Sequence, residues 1–237
     1  MPTRAMVLTL GETLFPAEQY RDALCQHVAN DLAGRLRLDA EGLFWALREV
    51  GGPRIDEEPQ RFLAEFVRQE RLPEAEVSRL YQTICEHDPE GLQLYPSARK
   101  FLEHARGKWQ LALIVHGHGV VQRRKIRALG LVDQFDFVVC LADHGEIWQN
   151  SAHLPYLAIL RRFALRPANV LAVSCNARRD FPGPRGIGIP CARVRHPGRA
   201  LTGAGELLID VDSLLEIFEQ PVVMASGQCS VSELIGR

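Results

Sequence analysis

Ala5-Met-Val-Leu-Thr-Leu-Gly-Glu-Thr-Leu-Phe-Pro16 joins a near-continuous apolar run to an abrupt turn, and the fold is read outward from it. Residues 5–10 alternate poorly and are almost wholly apolar, the pattern of a short strand buried on both faces. Gly11 permits a tight turn, and Phe15-Pro16 leads the chain away. A strand covered on both sides belongs in a parallel sheet flanked by helices, so helix and strand should alternate further along.

They do so from Tyr95 onward. Residues 97–106 read as helix, 110–115 as strand and 120–129 as a helix ended by Gly130. Strand 137–141, helix 154–164 and strand 170–174 follow. A short helix near Gly186, strands 189–194 and 207–209, and a last helix 211–218 complete the series. Between 17 and 92 the period is helical throughout. Tyr20, Leu24, Val28 and Leu32 mark one helix, stopped at Gly34. Asp39 caps a second, closed by Gly51-Gly52-Pro53. Phe62, Leu63 and Phe66 mark a third, and Pro73 opens a fourth with Val77, Leu80, Tyr81 and Ile84 on one face. The expected organisation is an α/β core over 1–16 and 93–218, a helical insert over 17–92, and a tail over 219–237. In such sheets ligands sit at the carboxyl ends of strands, which directs attention just after Leu10, Val115, Leu141 and Val173.

All four strand ends carry frames that resemble those of the haloacid dehalogenase-like phosphohydrolases. The most specific covers residues 111–140, where Gln122, Lys125, Leu129-Gly130-Leu131 and Phe135-Asp136 stand in the family's register. The others are the opening stretch, Gly145-Glu-Ile-Trp-Gln-Asn-Ser151, and Val170-Leu-Ala-Val-Ser-Cys-Asn-Ala-Arg-Arg-Asp180. The resemblance implies a Rossmann-like parallel core with an inserted helical cap. It also implies which positions once carried chemistry. The nucleophilic Asp position holds Thr9, and the acid/base Asp position holds Gly11. The phosphate-binding hydroxyl is Val115, followed by His116 where the family has Asn. The lysine is Trp148, and a magnesium-binding Asp is Cys175; Asp180 is kept.

Those exchanges remove what phosphoryl transfer requires: an anionic nucleophile, a proton donor and positive charge on the phosphate. Thr9 has no base in its frame and stays neutral. General acid/base help, worth about 100- to 10,000-fold, is missing at Gly11. With three carboxylate positions lost, a hard Mg²⁺ ion has little to hold it. The expectation is therefore a family member without the hydrolytic chemistry, no catalytic residues and no cofactor. Its ligand pocket would involve Thr9, Glu12, His116, Gly117, His118, Trp148, Cys175 and Asp180. Glu12 stands where the family usually has glycine, with its side chain expected to point away. The alternative is an active hydrolase of a small phosphorylated metabolite with an altered site, in which His116, His118, Cys175 and Asp180 hold a transition metal. No metal is expected on the first reading.

Composition narrows the rest. Across 237 residues the net charge is -1, which gives no field for nucleic acid or an anionic membrane. No apolar window suits a membrane span, and the first residues carry no signal-peptide pattern. Six widely spaced cysteines without a Cys-x-x-Cys pair suggest reduced thiols and a cytoplasmic protein. The partner is expected to be a protein or a small molecule. Arg178, Arg179, Arg185, Arg193, Arg195 and Arg199 are candidates for an acidic or phosphorylated partner, or a solvated face balanced by acids. Pro221-Val-Val-Met224 is a candidate docking strand, or packs on its own domain.

Overall fold

A computed structural model of the chain describes residues 3–51, 54–195 and 208–224. Six strands form one parallel sheet in the order β3-β2-β1-β4-β5-β6. They are β1 (Ala5–Thr9), β2 (Gln110–Val115), β3 (Phe137–Cys140), β4 (Val170–Ser174), β5 (Cys191–Val194) and β6 (Leu208–Val211). β1 is central and wholly buried, as its unbroken apolar run requires. The strand order reverses between β1 and β4, and a doubly wound sheet offers its ligand crevice at the carboxyl ends of that pair. Register sets Leu8 beside Val173, so Thr9 and Ser174 are the residues that end the two strands together.

The twelve α-helices of the described residues are α1 (Ala17–Leu36), α2 (Ala40–Gly51), α3 (Arg54–Glu57), α4 (Pro59–Gln69), α5 (Glu76–Glu86), α6 (Pro96–Ala105), α7 (Gly119–Ala128), α8 (Gly145–Gln149), α9 (Leu154–Phe163), α10 (Ala177–Asp180), α11 (Pro182–Gly186) and α12 (Pro221–Met224). The chain forms two compact units. The sheet unit contains the described residues up to Phe15, those of Leu94–Val115, and those from Val132 onward. The helical unit contains Pro16–Gln93 together with His116–Leu131, so α7 packs with α1–α5.

In the sheet unit, one face of the strands (Ala5, Val7, Ala112, Ile114, Val170, Ala172) packs on Tyr156, Ile159, Leu160 and Phe181 from α9 and the segment after α10. Phe101 of α6 stacks on Phe218 at 5.0 Å, and Trp109 stacks on the same ring at 5.3 Å. In the helical unit Tyr20, Leu24, Val28 and Leu32 of α1 are buried, with Phe62 and Phe66 of α4 stacked at 6.3 Å.

Several expectations need correction. Gly34 does not end α1. A Cβ there would meet nothing within 4 Å, and the helix runs on to Arg37, whose left-handed φ of 55° makes the stop. Asp39 does cap α2, its carboxylate accepting the Gly42 N–H at 2.7 Å. Residues 211–218 are not one α-helix: β6 extends to Val211, and a 3₁₀ turn, Leu214–Glu219, follows. α3 and α8 are short helices that the sequence pattern does not mark as separate elements. Pro221–Met224 is a helical turn packed at home, not a strand; the Val222 carbonyl accepts from Thr3 N and Oγ1 at 3.2 and 2.8 Å. Residues 225–237 of the expected tail lie outside the described residues, as do Arg199, Cys229 and the Gly52-Pro53 helix stop. No helix among the described residues is long and apolar enough to cross a membrane.

Candidate functional site

At the carboxyl ends of β1 and β4 the sheet unit holds a buried chain of side-chain hydrogen bonds. Thr13 and Thr9 hydroxyls meet at 2.8 Å, and Thr9 donates to Ser174 Oγ at 3.0 Å. Ser174 donates to a carboxylate oxygen of Asp180. A hydroxyl has one proton, so these contacts fix the direction: Thr13 to Thr9, Thr9 to Ser174, Ser174 to Asp180. Backbone N–H groups also donate into the chain. Cys175 N donates to Thr13 Oγ1 at 3.1 Å and Asn176 N to Ser174 Oγ at 3.0 Å. Thr9, Thr13 and Ser174 are all at most 2% exposed. The chain is local in origin. The turn after β1 closes through Leu14 N to Leu10 O and Glu12 N to Phe15 O, which returns Thr13 beneath the strand end.

Asp180 ends the chain. Its Oδ1 accepts Arg179 Nε at 2.7 Å, and Tyr156 donates to its backbone carbonyl at 3.1 Å. The Tyr156 phenol is pushed up by its own burial, then by Asp180. The donor chemistry answers whether magnesium suits this place. Mg²⁺ wants hard oxygens, chiefly carboxylates, at short range in an octahedron. This cluster has one carboxylate, already bonded to Arg179 and Ser174, among neutral hydroxyls. The residues do not fit a magnesium site. Among the described residues no group of three or more His, Cys, Asp and Glu stands close enough to hold a metal ion.

Gly11 bridges Phe15 and offers only backbone. Glu12 adopts a left-handed φ of 62°, a conformation that favours glycine. Its carboxylate receives the Tyr95 hydroxyl at 3.4 Å in the sheet unit. Cys175 is half-buried, with its sulfur 3.9 Å from the Gly11 carbonyl. Trp148 stacks on His144, ring centroids 3.9 Å apart, and packs against the sheet core in place of any cation. Val115 is buried in β2. Among the arginines, Arg179 pairs with Asp180, Arg193 with Asp210 and Arg195 with Asp212.

His116, Gly117 and His118 belong to the helical unit. Gly117 has a φ of 95°, and a Cβ there would lie 2.8 Å from Gln122 Nε2 and 3.0 Å from the Asp56 carbonyl. His118 Nε2 bonds the Tyr81 hydroxyl at 2.8 Å, while its Nδ1 is buried with no partner. Burial, then Arg123, holds this imidazole below its usual range. The family-frame residues of α7 are structural here. Lys125 forms a buried ion pair with Asp56 of α3 and lies 4.2 Å from the Tyr20 ring centroid. Arg21 Nε adds a contact to Asp56 at 3.6 Å. Burial lowers the Lys125 pKa, against the opposing pull of Asp56.

Sequence reasoning omitted Thr13, Ser174 and Asp56. Ser174 directly follows Val173, one of the strand ends singled out, so the signal was present. It also left Thr9 without a base, whereas Asp180 stands two hydrogen bonds away through Ser174.

The model of the family described as haloacid dehalogenase-like hydrolase matches residues 7–188. No curated protein matches the chain. Among solved structures it is similar to a 2-haloacid dehalogenase from Pseudomonas syringae pv. tomato, with 19% identity, a TM-score of 0.66, and 92% of this chain and 97% of that one covered. A haloacid dehalogenase-like family hydrolase from Xanthomonas campestris shares 15% identity at a TM-score of 0.64, covering 96% and 99%. A HAD phosphatase from Thermococcus onnurineus shares 20% identity at 0.63, covering 92% and 97%.

Proposed function

Since the chain belongs to the haloacid dehalogenase-like hydrolase family, we propose that it is a member which has given up the family's hydrolytic chemistry and serves in binding, to a small molecule or a protein. One observation carries this reading. The residue at the nucleophile position, Thr9, is buried, neutral and committed by its only proton to Ser174. Attack on phosphorus, or on the halogen-bearing carbon of a haloacid, needs an activated nucleophile, and the carboxylate that ends the Thr9 hydrogen-bond chain, Asp180, is already paired with Arg179. Nothing at Gly11 can protonate a leaving group. Supporting this, the position of the family's lysine holds an aromatic ring, Trp148.

The test is a turnover screen of the full chain over phosphate esters and 2-haloacids, with Mg²⁺, Mn²⁺ or Zn²⁺, against Thr9→Ala and Thr9→Ser. The expected result is no turnover above the Thr9→Ala background. Turnover abolished in Thr9→Ala and retained in Thr9→Ser would sink the reading.

A second reading rests on the Thr9-Ser174-Asp180 chain. Two hydroxyls linked to a carboxylate form a route along which a Thr9 proton could leave, so an active, Thr9-dependent hydrolase with an altered site is the alternative. It predicts that Asp180→Asn abolishes any turnover the screen finds and shifts its pH profile.

A further inference from the structure

A groove of about 700 Å³ opens at the opposite edge of the sheet from the crevice described above. It lies where strands begin. Arg4 directly precedes β1, Trp109 directly precedes β2, and Asp133 to Asp136 lead into β3. All of these residues belong to the sheet unit. The size suits a small molecule, since ligand sites commonly span about 300–1,000 Å³.

Charge says which molecule. Three cationic side chains, Arg4, Arg106 and Lys108, line the groove. Both arginines are exposed, and neither guanidinium has an ion pair or hydrogen bond among the described residues. Among the described residues Lys108 Nζ meets only His104 Nε2, at 3.2 Å. Of the two carboxylates in the lining, Asp136 accepts the Leu111 N–H at 2.8 Å, and Asp133 pairs with no cation among the described residues. In the wall, Trp109 is 4% exposed, and its indole N–H is buried with no acceptor among the described residues. Elsewhere in this unit Arg179 pairs with Asp180, Arg193 with Asp210 and Arg195 with Asp212. Three cations against two carboxylates leave the hollow a surplus of positive charge that a bound anion would meet.

We propose that this groove binds a small phosphate-bearing anion, held by Arg4, Arg106 and Lys108. Guanidinium forks match phosphate oxygens two at a time, a geometry that a single ammonium cannot offer. A small ligand is favoured over a nucleic acid, because a net charge of -1 supplies no wider field to track a polymer. The proposal is independent of whether the crevice at β1 and β4 turns over a substrate.

The chain has three tryptophans, so an amide-and-indole nitrogen correlation spectrum of the full protein carries three indole signals, with Trp109 assigned by Trp109→Phe. Inorganic pyrophosphate is titrated at constant ionic strength, with citrate as a matched polyanion lacking phosphorus. The expected result is a saturable shift of the Trp109 indole signal with those of Trp45 and Trp148 unmoved. Arg4→Ala with Arg106→Ala should weaken binding about tenfold or more by removing two charge-assisted anchors. Both residues are exposed and unpaired, so the rest of the spectrum should be unchanged. No saturable shift, equal binding in the double variant, or citrate binding as tightly as pyrophosphate overturns the proposal.

Discussion

Two buried polar clusters in this chain treat charge in opposite ways. At the ends of β1 and β4 the cluster is built from hydroxyls and backbone N–H groups around one Arg-paired carboxylate, and every hydroxyl proton is assigned. In the helical unit Asp56, Lys125, Arg21 and the Tyr20 ring are packed together, and the Tyr20 hydroxyl finds no partner among the described residues. The first cluster is polar but quiet, and it sits where its family conducts chemistry. The second is strongly charged and fastens helices. Ionic residues in a fold therefore need not mark the place where it acts. Here the residues most faithful to the family frame, Gln122 and Lys125, serve the packing of α3 on α7.

The comparison breaks most sharply at Lys125. Lys125→Met strands the Asp56 carboxylate in the interior and should cost about 3–5 kcal/mol in urea unfolding, whereas the pair Lys125→Met with Asp56→Leu should recover most of it. A single variant that costs under about 1 kcal/mol would mean that the ion pair does not hold the helices. Ser174→Ala comes next. It removes the middle of the hydroxyl chain, leaving Thr9 and the Asn176 N–H without an acceptor, and should cost about 2–3 kcal/mol. A loss near zero would show that water takes over and that the cluster is not closed.

Acid separates the units a third way. His87 in the helical unit is held down to about 4 by burial first and by His27 second, against an ordinary value of 6.5. Its folded pKa is depressed, so the unfolded chain takes up the proton first as pH falls. The stabilising contribution is whole above pH 6.5 and is lost between 6.5 and about 4, at most about 1.4 kcal/mol per pH unit. His87→Gln should flatten the thermal-stability profile in that window, and an unchanged profile would assign the acid sensitivity elsewhere. The smallest effect is expected at Glu12. Any side chain strains its left-handed backbone, so Glu12→Gly should be more stable than Glu12→Ala by about 1 kcal/mol in thermal unfolding.

The sheet was largely legible because its signal is local. β2 and β4 read off the sequence at their observed bounds, since each is an apolar run between turn residues. Gly34 misled because glycine marks a helix end only where the backbone turns left-handed, and here Arg37 does so. The candidate site was half legible. Thr9, Gly11, Trp148 and Cys175 stand at motif positions, where an exchange shows in the sequence itself. Thr13 and Ser174 matter through register and turn closure, which no single stretch displays. Asp56 was invisible for a plainer reason: its partner Lys125 lies 69 positions away, and the helix that carries it has four residues.

The one-way hydroxyl chain acts as a ratchet. Consider Thr9→Asp, which installs the residue the family usually has there. Ser174 owns a single proton and already gives it to Asp180, so the new carboxylate would face an oxygen lone pair instead of a donor. Two carboxylates would then compete for one hydrogen, and the loss of the Thr9 proton would leave Ser174 short on its other side. A carboxylate at position 9 is therefore not accommodated by a single exchange; it needs a cation or a rewired Ser174 beside it.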